Sequence, residues 1–120
     1  MIGIDTVHIP RIAKAVESKA FAERVFTEYE RSYCEKRAHP AASYAGLFCA
    51  KEAAVKALKC GFGGGIMPVD IEIYHDKRGT PSLRACGKAA LLLVDYNVDV
   101  SISHDGEYAV AAVMLTEKKR

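Results

Sequence analysis

The chain has four cysteines, Cys34, Cys49, Cys60 and Cys86, but no C-x-x-C pair. That argues against a zinc site and for free thiols in a reducing compartment. No leader-like stretch opens the sequence. The longest purely apolar run, Ala89 to Val94, is far too short to cross a bilayer. The expectation is a cytoplasmic chain with no membrane partner. Charge of one sign is also scarce. A net charge of +2 gives no reason to expect a nucleic-acid partner. There is no internal repeat, linker or low-complexity segment, so residues 1–120 read as one domain. A chain of this length builds only a modest core, which oligomerisation would help.

What is present is organised around Phe48-Cys49-Ala50-Lys51-Glu52-Ala53-Ala54-Val55-Lys56-Ala57-Leu58. Alanine, lysine, glutamate and leucine dominate it, all good helix formers, and nothing inside breaks a helix. The helix is expected from about Ala41 to Leu58, with Tyr44, Phe48, Val55 and Leu58 covering a core. Glu52 and Lys56 are four residues apart and project from one face. They can pair on the surface, adding about 0.2–0.5 kcal/mol of helix stability. They can also hold a metal and a phosphate.

Around this helix the pattern alternates between strands and helices. Ile2 to Val7 reads as a strand that Asp5 interrupts, either as a cap or as a ligand at the sheet edge. Ile9 to about Ser18 fits a helix with Ile9, Ile12, Ala13 and Val16 on one stripe. Arg11, Lys14 and Lys19 lie off that stripe as a small basic surface. Phe21 to Phe26 continues the apolar pattern. Thr27 and Glu30 match a capping box for a charged helix that reaches about Arg37, and His39-Pro40 ends it. Gly61 to Gly65 is a loop, either a simple helix stop or a backbone that approaches a phosphate. Val69 to Tyr74, Pro81 to Cys86, Val98 to Ser103 and Tyr108 to Leu115 read as strands. Turns are expected at Asp76–Gly79 and Asp105-Gly106. Lys88 to Asp95 reads as a short helix, and residues 117–120 as a frayed polar tail. Both faces of the last strand are apolar, so both need burial.

Three polar anomalies stand in apolar settings: Asp5, the Glu52/Lys56 pair, and Ser101-Ile102-Ser103-His104. Two carboxylates from separate elements suit magnesium, which takes one or two carboxylates and completes its shell with waters and substrate phosphates. A lysine beside them suits the remaining phosphate charge. His104 alone reads equally as a polar residue at a strand end.

Taken in order, Gly3-Ile4-Asp5, then Phe48 to Ala57 with its F-x-x-K-E-A-x-x-K-A pattern, then Val69 to Ile73, then Ser101 to His104 resemble holo-acyl-carrier-protein synthase. That family is the small bacterial class of 4′-phosphopantetheinyl transferases, and the resemblance spans nearly the whole chain. It implies a compact α+β domain, with a small antiparallel sheet packed with helices, assembling as a homotrimer with sites at subunit interfaces. It implies transfer of the phosphopantetheine arm of coenzyme A to a serine of apo acyl carrier protein, with adenosine 3′,5′-bisphosphate released. The setting would be fatty-acid or related acyl-chain synthesis. The resemblance further implies Mg2+ held by Asp5 and Glu52, with Glu52 or a water it positions taking the serine proton. Lys56 would contact the transferring phosphate, His104 would line the coenzyme pocket, and Arg11 with Lys14 would dock the acidic carrier. Two positions depart from the family pattern. Leu47 stands where arginine is common, and Ala20 stands where a basic residue is common. A non-catalytic module that binds a nucleotide or a carrier protein is the alternative.

Overall fold

The computed structural model describes residues 1–119. Among these, five strands and five α-helices follow in the order β1 (Ile2–His8), α1 (Ile9–Ala15), α2 (Lys19–Val25), α3 (Glu28–Glu35), α4 (Pro40–Ala57), β2 (Ile71–His75), β3 (Pro81–Ala85), α5 (Gly87–Leu93), β4 (Tyr96–Asp105) and β5 (Tyr108–Glu117). The strands form two antiparallel sheets rather than the one small sheet expected. One has the order β1-β5-β4, and the other is the β2-β3 hairpin. No helix among the described residues is long and apolar enough to cross a membrane.

Helix α4 is the spine. Pro40 opens it at a position where a missing N–H costs nothing. Its alanines and small side chains let it lie close on the three-stranded sheet, and Ala45, Ala50, Ala53, Ala54 and Ala57 are fully buried there. The closest approach is at Gly3 of β1. A Cβ on Gly3 would stand 1.9 Å from the Ala53 carbonyl oxygen and 2.6 Å from the Ala57 nitrogen. Only glycine fits, and Asp5 two residues on is therefore held against α4. The core face of β5 carries Ala109, Ala111, Val113 and Leu115. Phe26, Ile12, Ile71 and Ile73 fill the space around α4 together with Leu47 of α4 itself, and each contributes roughly 1.5–3 kcal/mol by leaving water.

Several boundaries differ from expectation. The helix beginning at Ile9 ends at Ala15, because the Ser18 hydroxyl accepts the Phe21 N–H at 3.2 Å and starts α2. Lys19 thus belongs to α2, where it lies 3.9 Å from Glu23. Residues Pro68–Asp70 form a 3-10 turn instead of the start of a strand. The Asp70 carboxylate accepts the Met67 N–H at 2.8 Å and draws the chain into that turn. The tail is not frayed at its beginning. Glu117 pairs with Tyr96, and the Lys118 N–H donates to the Asp95 carbonyl at 2.9 Å. Arg120 lies outside the described residues. All four cysteines are free thiols, and burial pushes Cys34 and Cys49 up to about 12. The capping box at Thr27 forms as expected, with both reciprocal hydrogen bonds present.

Candidate active site

Three side chains meet where β1 crosses the C-terminal half of α4. The Lys56 ammonium donates to Asp5 Oδ1 at 3.0 Å and to the Ile4 carbonyl at 3.2 Å. Glu52, one turn earlier on α4, is half-buried. Among the described residues it has no hydrogen-bond or ion-pair partner. Burial and the neighbouring Asp5 charge push the Glu52 carboxyl above its ordinary range, while Lys56 and Arg11 pull the other way. The bond to Asp5 holds Lys56 protonated. The Glu52–Lys56 pairing that the spacing allows is therefore replaced by a cross-element pair, Asp5–Lys56, with Glu52 left free.

Two carboxylates that repel one another beside an open surface form a donor set suited to a hard cation. Among the described residues no cluster of three or more His, Cys, Asp or Glu side chains is arranged around a common point. A two-carboxylate magnesium site needs no such cluster, because the other ligands come from water and phosphate.

Arg11 reaches the same region. Helix α1 packs on α4 and sets the guanidinium 6.0 Å from the Phe48 ring centroid. It is thus close enough to act on Glu52 as well as to meet a partner. Lys14 is exposed one turn further along α1. A cavity of about 170 Å³ opens beside Glu52, lined by Val25, Phe48, Phe62 and Pro68.

His104 lies elsewhere. Its Nε2 is 2.9 Å from the Ala42 carbonyl, near the opposite end of α4. Gly46 makes the room, since a Cβ there would come within 3.2 Å of the imidazole. From Ala42 to Glu52 the helix rises about 15 Å. Within one chain, then, Asp5, Glu52 and Lys56 come together and His104 does not join them. It lines a second cavity, of about 180 Å³, with Tyr33, Arg37, Leu47, His75 and Gly79 among its walls.

Sequence reasoning missed the buried pair behind the site. Lys51 is 1% exposed and Glu30 is 0% exposed, with Nζ 2.6 Å from Oε1. Lys51 also donates to the Ile71 carbonyl at 2.6 Å and the Pro68 carbonyl at 2.9 Å. Glu30 accepts from the Thr27 and Ile73 backbone N–H groups. The Thr27 hydroxyl in turn donates to Glu72, which Arg84 also holds. The only sequence signal was the capping box, which accounts for one of the bonds that Glu30 makes.

Comparison with known proteins adds the wider context. A model of the 4′-phosphopantetheinyl transferase superfamily matches residues 1–113. The chain is 44% identical over 118 residues to a holo-[acyl-carrier-protein] synthase of Geobacter metallireducens, covering 94% of each chain. It is 43% identical over 120 residues to that of Alkaliphilus metalliredigens, covering 96% of this chain and 97% of the relative. The fold superposes on the Helicobacter pylori holo-[acyl-carrier-protein] synthase in complex with coenzyme A, with a TM-score of 0.85 and 34% identity, covering 97% and 100% of the two chains. The Bacillus anthracis synthase in complex with CoA (3′,5′-ADP) gives 0.83 and 38%, covering 98% and 96%.

Proposed function

The chain belongs to the 4′-phosphopantetheinyl transferase superfamily, and we infer from that membership that it transfers the 4′-phosphopantetheine arm of coenzyme A to a serine of apo acyl carrier protein. Adenosine 3′,5′-bisphosphate is the other product. The observation that carries the site assignment is the convergence of Asp5, Glu52 and Lys56 on one open edge, fixed by the Gly3–Ala53 contact.

The serine oxygen attacks the phosphorus that bears the pantetheine arm. Its proton passes to Glu52 directly, or to Glu52 through one water. The raised proton affinity of that carboxylate suits the task. The bond to the bridging oxygen breaks, and that oxygen leaves on the 5′-phosphate of the nucleotide. Lys56 sets a positive charge against the phosphate where negative charge develops. Asp5 orients Lys56 through their 3.0 Å contact. Asp5 and Glu52 are also the residues that would hold Mg2+, which when bound neutralises charge on the pyrophosphate.

Two features support a shared site in a homotrimer. The outer face of β1 and β5 carries Ile2, Ile4, Tyr108 and Met114, which are 66%, 62%, 56% and 45% exposed. Such a run of apolar surface calls for cover. His104 and the cavity it lines stand about 15 Å along α4 from Glu52. The phosphates of coenzyme A are attached to one ribose, a much shorter separation. A neighbouring copy therefore supplies His104 to each Glu52 in this reading. Arg11 and Lys14 present the basic surface for an acidic carrier protein. The setting is cytoplasmic acyl-chain synthesis.

The direct test is incubation with apo acyl carrier protein, coenzyme A and Mg2+, read by mass spectrometry. The carrier should gain roughly 340 Da, one phosphopantetheine added across the split phosphoanhydride. A carrier of unchanged mass, with both substrates shown intact, would leave the non-catalytic binding module as the better reading.

A further inference from the structure

The run from Cys60 to Gly65 carries one large side chain, Phe62, among glycines. Gly63 and Gly65 hold positive φ, at 111° and 91°, and so let the chain turn sharply. The loop is tied at two points. The Gly63 N–H donates to the carbonyl of the buried Ile66 at 3.1 Å. From the other side Lys88 of α5 reaches across, and its ammonium donates to the Gly64 carbonyl at 2.6 Å. The Lys88 stem lies along the loop, since a Cβ on Gly65 would stand 3.0 Å from it. A Cβ on Gly61, Gly63 or Gly64 would have nothing within 4 Å. The glycines therefore add no packing of their own, and the two bonds set where the loop stands.

What the loop places is the Phe62 ring. It is half-buried and forms one wall of the cavity of about 170 Å³ beside Glu52, with Val25, Phe48 and Pro68 as other walls. Lys51 also lines this cavity, but its ammonium is spent on Glu30, Ile71 and Pro68. Among the lining side chains Glu52 alone keeps polar capacity, and it is a carboxylate. Such walls repel phosphate and suit hydrocarbon. The volume is several times the roughly 30 Å³ share of a water molecule, room for a branched carbon with its methyl groups.

The donor carries such a group at a fixed distance from the chemistry. In the phosphopantetheine arm, the ester oxygen on the reacting phosphorus is followed by a methylene and then by a carbon bearing two methyl groups. That carbon is three bonds from the phosphorus and so within about 4 Å of it. Glu52 lines the cavity and also stands at the transfer site. A phosphorus set beside Glu52 and Lys56 therefore brings the two methyl groups to the cavity. We propose that Phe62 is a specificity-determining residue that closes this cavity around the two methyl groups, and that Lys88 is a positioning residue that holds Phe62 there through Gly64. The assignment rests on the transfer reading above and deepens it, naming a part of the donor that the site recognises besides its phosphates. Neither residue takes part in the chemical step.

The test compares coenzyme A with an analogue in which both methyl groups are replaced by hydrogen, as donors to apo acyl carrier protein. Wild type should favour coenzyme A about tenfold in kcat/KM, the scale of two methyl groups leaving water. Phe62→Ala should reduce that preference to about twofold or less and leave KM for the carrier unchanged. Lys88→Met should reduce the preference in the same direction, although Lys88 does not line the cavity. Lys88→Arg, which still offers a donor to the Gly64 carbonyl, should keep it. A merely structural Lys88 would lower the rate with both donors alike and leave their ratio unmoved. Circular dichroism checks the fold of each variant. If Phe62→Ala does not fold, Lys88→Met decides, and an unchanged ratio there overturns the proposal. No preference in the wild type, or a preference that Phe62→Ala leaves intact, also overturns it. A raised KM for the carrier with the donor preference intact gives the cavity to a carrier side chain instead. Loss of preference in Phe62→Ala but not in Lys88→Met rejects the role of Lys88. If the wild type transfers nothing from either donor, the transfer reading fails, and calorimetry with the two compounds decides the pocket. Tighter binding of coenzyme A that Phe62→Ala abolishes upholds it, and equal binding of both compounds by the wild type rejects it.

Discussion

Lys51 and Lys56 stand on one helix, and each meets a carboxylate from another element, yet the two pairs do opposite things. Lys51 and Glu30 are sealed, at 1% and 0% exposed. All three Lys51 donors are used, on Glu30, Pro68 and Ile71. Both Glu30 oxygens are satisfied as well. Lys56 and Asp5 are 51% and 17% exposed, and a free Glu52 stands beside them. The closed pair spends its hydrogen-bonding capacity on the fold, tying α3, the 3-10 turn and β2 to α4. The open group keeps charge unspent where a substrate can reach it. A pair of opposite charges is therefore a poor marker of function by itself. What separates the two regions is whether the polar atoms already have all the partners they can take.

The largest expected effect comes from breaking the open group. Glu52→Gln removes the proposed proton acceptor and one of the two carboxylates. Transfer should fall by about 10²–10⁴-fold, the range for a general base, while circular dichroism stays unchanged. Asp5→Asn should give a loss of similar kind, and a chelator should stop the wild type. Full activity in either variant, or indifference to the chelator, removes these residues from the site. The same variant tests the shared site. Glu52→Gln and His104→Ala, each inactive, are dissociated and reassembled together. Partial return of activity is expected if neighbouring copies complete each site. A dead mixture in which mixed oligomers are demonstrated rejects the sharing.

The closed pair should respond in the other currency, stability. Lys51→Met strands Glu30 as an unpaired buried charge, and Glu30→Leu strands Lys51. Each should cost about 3–5 kcal/mol in denaturant unfolding. The double variant Glu30→Leu/Lys51→Met should cost clearly less than the sum, because a buried ion pair replaced by apolar groups of similar size is often close to neutral. Burial works against both charges, pushing Glu30 up and Lys51 down from their ordinary values. Any activity lost in the folded double variant would come from a shifted α4 and not from a lost catalytic group. Additive losses in the double variant would show that the two side chains do not stabilise the fold as a pair.

The two regions also differ in how readable they are. Asp5, Glu52 and Lys56 stand out as candidates because their residue types are anomalous in apolar surroundings and their order along the chain is distinctive. Helix α4 and the Thr27 capping box were legible for a local reason, since propensity and capping act within a few residues. The partner of Lys51 was not legible. Nothing in the spacing of Glu30 and Lys51 says that α3 and α4 will bring them to 2.6 Å. Thr27 and Glu30 read as a helix start, and the second duty of Glu30 depends on β2, more than forty residues on. Arg37 and His75 come together only when the β2–β3 hairpin packs beside α3. The early end of α1 had a signal in Ser18, outweighed by an apolar stripe that continues through Val16. The single-sheet expectation failed because the strands alternate alike in both sheets, and alternation does not specify the partner strand.

The smallest expected effect lies between the two regions, on α1. Lys14 and Arg11 both face solvent, and both should help to dock an acidic carrier. Only Arg11 also sits near Phe48 and acts on Glu52. Lys14→Glu should raise KM for the carrier by roughly threefold to fivefold, the scale of an exposed charge contact of up to about 1 kcal/mol, and leave KM for coenzyme A alone. The effect should shrink as salt rises, because at 0.1 M ionic strength exposed charges are screened over about 10 Å. Arg11→Glu should raise KM for the carrier in the same way and also move the pH profile. Its positive charge favours ionised Glu52, so reversing it makes Glu52 hold its proton to higher pH. Activity that requires the ionised carboxylate should then be lost at a higher pH as the solution is acidified. If Arg11→Glu and Lys14→Glu gave the same profile, Arg11 would belong to the docking surface alone. If Arg11→Glu moved the profile without changing KM for the carrier, Arg11 would belong to the open group around Glu52.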